Sequence, residues 1–167
     1  HSPQYVQCAK LLSKPNQAKK FINSLASKIK KNIKSFDLIL SPAMGGVIIG
    51  YEIGRILKKE TIFCERVDKK FKLRRGFYIK KKAKVLIVED IVTTGGSIFE
   101  LIDIVKANKS KIVGITSILD RNNKPVDFSE RYEPLVQYPV ESWEENKMPD
   151  WLKNIPLTKP GRSGKKK

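Results

Sequence analysis

The chain has 167 residues, of which 40% are apolar, so it is about the size of one domain and can bury a core. Its 34 Lys and Arg outnumber 17 Asp and Glu, which gives a net charge of +17, and no apolar stretch is long enough to span a bilayer. One histidine and two distant cysteines, Cys8 and Cys64, exclude a conventional zinc site and predict free thiols, as in the cytoplasm. The chain opens at His1 with neither methionine nor a signal-peptide pattern, and we expect that its first residues are missing.

The positive charge is spread along the chain rather than concentrated in one segment. Lysines outnumber arginines 27 to 7 and fall on helix faces, turns and the C-terminal end, which favours a solvated surface over guanidinium-based recognition. We therefore expect no nucleic-acid or membrane partner, although the charge keeps a polyanion-binding role open as an alternative. We expect residues 1–158 to form one domain and the basic residues 159–167 to be a disordered tail.

Segments with helical spacing alternate with short runs that are apolar throughout rather than at every second residue. This alternation predicts an α/β fold in which helices cover both faces of a mostly parallel sheet. Beyond Asn122, six prolines interrupt the pattern and predict no long element. In chain order, the predicted elements are a helix at 16–34, a strand at 37–40, a helix at 47–57, a strand at 61–64, a charged loop or hairpin at 65–76, a strand at 84–88, a helix at 96–108 and a strand at 111–119.

The segment Val85–Ser97 has the residue types of an anion site. Four apolar residues lead to two acids, Glu89 and Asp90, and the hydroxyl- and glycine-rich loop Thr93–Ser97 then opens a helix. Glycines let the backbone approach an anion closely, and free amides at a helix N-terminus bind phosphate. Carboxylates repel a phosphate but accept hydrogen bonds from ribose hydroxyls. The pattern matches neither a Walker loop nor a Gly-x-Gly-x-x-Gly turn, and it predicts a sugar-phosphate site at the carboxyl edge of the sheet.

Residues Glu89–Ser97 resemble the phosphoribosyl diphosphate (PRPP) binding motif of type I phosphoribosyltransferases. The resemblance implies that family's fold, a mostly parallel sheet flanked by helices, with a small hood formed by the chain termini. It also implies that the two acids hold the ribose hydroxyls and that the loop holds the 5-phosphate. The implied PRPP-binding residues are Glu89, Asp90, Ile91, Val92, Thr93, Thr94, Gly95, Gly96, Ser97, Met44, Gly45 and Arg66.

Other segments resemble the orotate-using branch of this family. Ser41–Gly46 resembles its diphosphate loop, although Gly45 stands where many members have a lysine. Phe63–Phe77, which includes Leu73–Phe77, resembles the catalytic loop of one bacterial branch. Asp120-Arg121 resembles a pair whose arginine binds the orotate carboxylate, a role that suits a planar guanidinium. The implied catalytic residues are Glu89, Asp90, Arg74 and Arg75, with Lys72 as an alternative loop cation, and the implied orotate-binding residues are Thr93, Arg121 and Tyr5.

The resemblance implies transfer of a phosphoribosyl group from PRPP to orotate, which yields orotidine 5'-monophosphate and diphosphate in pyrimidine biosynthesis. Mg²⁺ is the implied cofactor, held by diphosphate and ribose rather than by direct protein ligands. A homodimer is implied as well, because the catalytic loop in this family often closes over the neighbouring subunit's site. Two alternatives remain: a phosphoribosyltransferase for another base, and a non-catalytic PRPP-sensing regulator that binds nucleic acid.

Overall fold

The structure is a computed structural model that describes residues 1–124 and 126–156. Within these residues, six strands form one sheet in the order β3-β2-β1-β4-β5-β6, in which only the β2–β3 pair is antiparallel. The strands are β1 (Leu38–Pro42), β2 (Glu60–Val67), β3 (Lys70–Leu73), β4 (Lys84–Val92), β5 (Lys111–Asp120) and β6 (Tyr132–Gln137). The helices are α1 (Cys8–Leu12), α2 (Pro15–Asn32), α3 (Gly45–Leu57), α4 (Gly96–Ala107) and α5 (Asp150–Lys153), with a 3₁₀ turn at Glu145–Lys147.

The predicted α/β class and the mostly parallel sheet are confirmed. All seven predicted helices and strands are present, and the charged segment 65–76 contains the β2–β3 hairpin. Within the described residues no long element follows Asn122, as predicted, but a six-residue strand that was not predicted, β6, pairs in parallel with β5. β6 contains Pro134, and a proline is tolerated there because β6 is an edge strand that needs hydrogen bonds on one side only. The short helix α1 was not predicted either.

Each face of the sheet packs against helices, as continuous apolar strands require. On one face, Ile98, Leu101 and Val105 of α4 are buried against Val85 and Ile87 of β4. The other face packs against the buried sides of α2 and α3. Pro15 begins α2 at a position where its missing amide proton costs nothing, and Ile33 follows the last turn in an extended conformation.

The two acids lie inside β4 rather than after its end, which corrects the predicted boundary at Val88. Glu89 pairs with Ser117 of β5, and Val92 pairs with Asp120, so the ladder continues past the acids. The Arg121 amide then donates to the Val92 carbonyl at 2.9 Å and joins the two strand ends. The parallel register therefore brings the predicted motif and Arg121 to the same edge of the sheet.

The predicted hood corresponds to contacts between the two ends of the described chain. The terminal amine of His1 donates to the Trp143 carbonyl at 2.7 Å, and the Trp143 amide donates to the His1 carbonyl at 2.8 Å. Within the described residues, no helix has the length and apolar character needed to cross a membrane. The predicted tail at 159–167 lies outside the described residues, as do Pro125 and residues 157–158.

Candidate functional site

A cleft of about 540 Å³ opens at the carboxyl edge of the sheet. It collects residues from α1 and the segment before it, the β1–α3 turn, the hairpin, the β4–α4 segment and the end of β5. This is where ligands bind in open parallel sheets. The cleft is lined by Tyr5, Val6, Gln7, Ala9, Pro42, Ala43, Met44, Gly45, Phe71, Glu89, Asp90, Ile91, Thr93, Ser97 and Arg121.

Glu89 and Asp90 both line the cleft, and short backbone contacts fix their carboxylates. Glu89 Oε1 accepts the Asp90 amide at 3.0 Å, and Asp90 Oδ1 accepts the Ile91 amide at 2.9 Å. Asp90 is half-buried, whereas only 7% of Glu89 is exposed. The pair therefore presents one accessible carboxylate and one that sits deeper in the wall.

Burial raises the pKa of Glu89 well above its usual value, and the neighbouring Asp90 carboxylate raises it further. Cys8 lies behind the same pair, with its Sγ 3.9 Å from the Asp90 carbonyl. Burial, followed by repulsion from the two acids, raises the pKa of Cys8 to about 12, so this thiol stays protonated. Cys8 and Cys64 are both free and buried, as the sequence predicts.

The loop after β4 has the geometry of an anion site. Gly95 has φ 78° and caps α4, whose first helical bond runs from the Phe99 amide to the Gly95 carbonyl at 3.0 Å. Within the described residues, the amides of Thr93, Thr94 and Gly95 donate to no backbone carbonyl. A small hollow of about 30 Å³ lies against this loop. It is lined by Glu89, Ile91, Val92, Thr93, Gly95, Ser97 and Ile98.

The β1–α3 turn forms the opposite wall. Met44 is 83% exposed, and Gly45 lies beside the acids: a Cβ built on Gly45 would come within 2.2 Å of Asp90 Oδ2. Because Gly45 has no side chain, the Asp90 carboxylate has room beside it in the cleft. The turn meets β2 through the Ala43 amide, which donates to the Cys64 carbonyl at 2.8 Å.

Arg121 and Tyr5 both line this cleft, and their orotate-binding roles stay predictions. Arg121 Nη2 donates to the Gln4 carbonyl at 2.9 Å and lies 3.4 Å from Ser2 Oγ. Its Nε is buried, and no described residue accepts its proton. A guanidinium with an unused donor can bind a carboxylate.

The predicted cations of the hairpin do not line this cleft. Arg66 binds Glu100 of α4 at 2.8 Å, and Arg75 binds Glu65 at 2.8 Å. Arg74 is exposed, and Lys72 lies 3.7 Å from Asp68 on the outer side of the hairpin. The structure thus joins the acids, the loop and Arg121 within one chain but leaves these hairpin cations outside. Their roles stay predictions.

Several lining residues were not predicted as site residues, among them Gln7, Ala9 and Phe71. Phe71 is buried, its amide donates to Glu100 Oε2 at 2.8 Å, and the Arg66 guanidinium stacks 4.0 Å from its ring centroid. Helix α4 therefore holds the base of the hairpin against the cleft. An alternation of apolar Phe71 with charged neighbours was the only signal in the sequence for this inward position.

The site can be compared with known proteins. The family model described as "Phosphoribosyl transferase domain" matches residues 9–144. Orotate phosphoribosyltransferase of Erythrobacter litoralis is 43% identical over 166 residues, which cover 99% of this chain and 86% of the relative. That of Thermotoga maritima is 40% identical over 168 residues, covering 99% and 88%.

The fold has solved counterparts as well. The crystal structure of orotate phosphoribosyltransferase from Aeropyrum pernix superposes with a TM-score of 0.70 at 18% identity and covers 80% of this chain and 78% of its own. At that identity the likeness concerns the fold, whereas the sequence relatives match nearly the whole chain, including the cleft. The chain therefore belongs to the phosphoribosyltransferase family and, within it, to the orotate phosphoribosyltransferases.

Proposed function

We propose that this chain transfers a phosphoribosyl group from PRPP to orotate and releases diphosphate. The observation that carries the proposal is the presence, in one cleft, of an acid pair, a loop with free amides and a partly unpaired arginine. The amides suit a phosphate, the acids suit ribose hydroxyls, and the arginine suits a carboxylate. Orotate carries a carboxylate that adenine, hypoxanthine and uracil lack.

The reaction is displacement of diphosphate at the anomeric carbon by a ring nitrogen. Positive charge develops on the ribose, and negative charge develops on the leaving group. The acid pair holds the ribose and favours positive charge beside it, and the loop fixes the 5-phosphate. Asp90, the more accessible carboxylate, is assigned the contact with the ribose hydroxyls. Glu89 is assigned to the deeper part of the cleft wall. No side chain acts as a covalent nucleophile.

Magnesium is proposed as the cofactor. Within residues 1–124 and 126–156, no group of three or more His, Cys, Asp or Glu is arranged to hold a metal. Mg²⁺ keeps several waters and binds well to diphosphate oxygens, so the diphosphate and the ribose hydroxyls of PRPP can hold it without a protein cage. When bound, the ion neutralises charge on the departing diphosphate. Added EDTA should abolish turnover and leave the thermal midpoint of the ligand-free chain unchanged.

A homodimer with shared sites is proposed for the assembly. Two observations support it. The hairpin cations Arg74 and Arg75 do not line their own chain's cleft, and the face of α3 beside the cleft exposes Met44, Ile48 and Tyr51 at helical spacing. An exposed apolar stripe of this kind is a common mark of an interface. Sedimentation should give a dimer, and mixing inactive Arg75→Ala and Asp90→Asn chains should restore activity.

The proposed function is tested by following orotate absorbance with PRPP and Mg²⁺, and diphosphate release with orotate, uracil, hypoxanthine or adenine. We expect turnover with orotate only. Turnover with a different base alone would assign the chain to that base. Tight, steeply salt-dependent RNA binding without any turnover would favour the regulatory alternative. A cytoplasmic location is proposed on the two free thiols.

A further inference from the structure

Arg121 depends on a partner outside the cleft for its orientation. Its Nη2 donates to the carbonyl of Gln4, which belongs to an exposed segment at the start of the chain. A carbonyl on such a segment orients a guanidinium only if the segment itself is held in place. The contacts around Gln4 therefore bear on the group that faces the base.

Tyr138 holds this segment, beside the pair of hydrogen bonds between His1 and Trp143. Its hydroxyl donates to Gln4 Oε1 at 3.0 Å, and its amide donates to the Asp120 carbonyl at 2.8 Å. The Val140 amide also donates to the Arg121 carbonyl at 3.1 Å, so the segment after β6 is tied to the end of β5 on both sides of Tyr138. A closed ring of contacts thus runs from Arg121 to Gln4, on to Tyr138 and back to the β5 end.

These contacts determine which N–H groups of Arg121 remain available to a ligand. Nη2 is occupied by Gln4, and Ser2 Oγ lies 3.4 Å from the same nitrogen. Nε remains buried and unpaired within the part of the chain that the structure describes. A carboxylate binds a guanidinium best through two parallel N–H groups, so its affinity depends on the edge that is offered.

We propose that Tyr138 is a positioning residue for orotate recognition, acting through Gln4 to fix the edge of Arg121 that meets the orotate carboxylate. The inference rests on the proposed function and deepens it. Tyr138 does not line the cleft, so its effect on the ligand is transmitted through Gln4 and Arg121. Its hydroxyl serves specificity for a base with a carboxylate and has no part in PRPP binding.

The test is kinetic and uses Tyr138→Phe, which deletes one hydroxyl and keeps the ring. We expect the KM for orotate to rise roughly twofold to tenfold, the range for a single neutral hydrogen bond, with kcat and the KM for PRPP unchanged. Gln4→Met, which removes the acceptor, should give the same shift, and the double variant should add nothing. Tyr78→Phe is the matched control, since Tyr78 is exposed and lies outside the cleft.

Measurements in the Arg121→Ala background distinguish a positioning role of Tyr138 from a merely structural one. There, Tyr138→Phe should leave the KM for orotate unchanged, because the group it positions is gone. Additive effects, or equal losses for orotate and PRPP, would overturn the inference. An active wild type with an unaltered Tyr138→Phe would overturn the inference alone, whereas a wild type that never consumes orotate would overturn the proposed function with it.

Discussion

Replacing Gly95 by alanine should damage both stability and PRPP binding, for two separable reasons. Gly95 has φ 78°, a left-handed conformation that costs a residue with a Cβ about 1–2 kcal/mol. A Cβ at this position would also lie 2.7 and 2.9 Å from two Phe128 ring atoms and 3.1 Å from Val126 Cγ1. Overpacking of that kind costs about 1–3 kcal/mol. The unfolding free energy of Gly95→Ala should therefore fall by about 2–5 kcal/mol.

Gly76 offers a matched control for the steric part. It has φ 76°, but a Cβ there would meet nothing within 4 Å, so Gly76→Ala should cost about 1–2 kcal/mol only. Denaturant unfolding of both variants isolates the contribution of Phe128. The double variant Gly95→Ala with Phe128→Leu should recover part of the unfolding free energy by which Gly95→Ala exceeds Gly76→Ala in destabilisation. Equal destabilisation by the two glycine replacements would refute the claim that the ring of Phe128 is fixed against the loop.

The same replacement tests the loop's function at temperatures where Gly95→Ala stays folded. Relief of the clash moves the Thr93–Gly95 amides by a fraction of an ångström, and misplacement near 1 Å can cost about 10²-fold in rate. We expect kcat/KM for PRPP to fall on the order of tenfold to a hundredfold. In Gly96→Ala the new Cβ would meet only Thr94 Oγ1, at 3.7 Å, so kcat/KM for PRPP should fall less. A folded Gly95→Ala with unchanged PRPP kinetics would contradict phosphate binding by this loop.

Arg121→Ala should raise the KM for orotate by about tenfold to a hundredfold, the loss of a charge-assisted contact worth about 1.5–3 kcal/mol, while the KM for PRPP stays near normal; equal weakening of both substrates would reject its assignment. Asp90→Asn should lower kcat with an unchanged thermal midpoint, and wild-type turnover would reject its role. Folding raises the pKa of the Glu89 carboxyl above its usual value of 4.5, so the folded chain binds the carboxyl proton more tightly than the unfolded chain does. The free energy of unfolding therefore falls as the pH rises above 4.5. Glu89→Gln should therefore gain stability relative to wild type between pH 4.5 and neutrality, as unfolding titrations at several pH values would measure; a constant difference would contradict the raised pKa.

Periodicity was enough to predict the elements whose burial follows from local pattern. The helix α2 has its buried residues at helical spacing, and β4 contains four consecutive residues, Val85–Val88, that are all fully buried. The position of the loop after β4 was predictable for a similar reason, because its strand, acids and glycines are contiguous. A motif whose residues are contiguous in the sequence can be recognised without knowing which distant segments surround it.

The rest depends on contacts between distant segments. β6 was missed because Pro134 breaks most strands, and only its edge position makes the proline harmless. The ion pairs of the hairpin arginines were not predicted either, because sequence spacing does not reveal the carboxylates that lie 2.8 Å from Arg66 and Arg75. The contact of Tyr138 with Gln4, 134 residues apart, is of the same kind.

A crystal structure with PRPP and Mg²⁺ would show whether the loop after β4 binds the phosphate. We expect the 5-phosphate within hydrogen-bond distance of the amides of Thr93–Ser97, with the ribose hydroxyls on the Asp90 carboxylate. A phosphate bound instead at the opposite edge of the sheet, among Lys80–Lys82, with the loop after β4 empty, would contradict it.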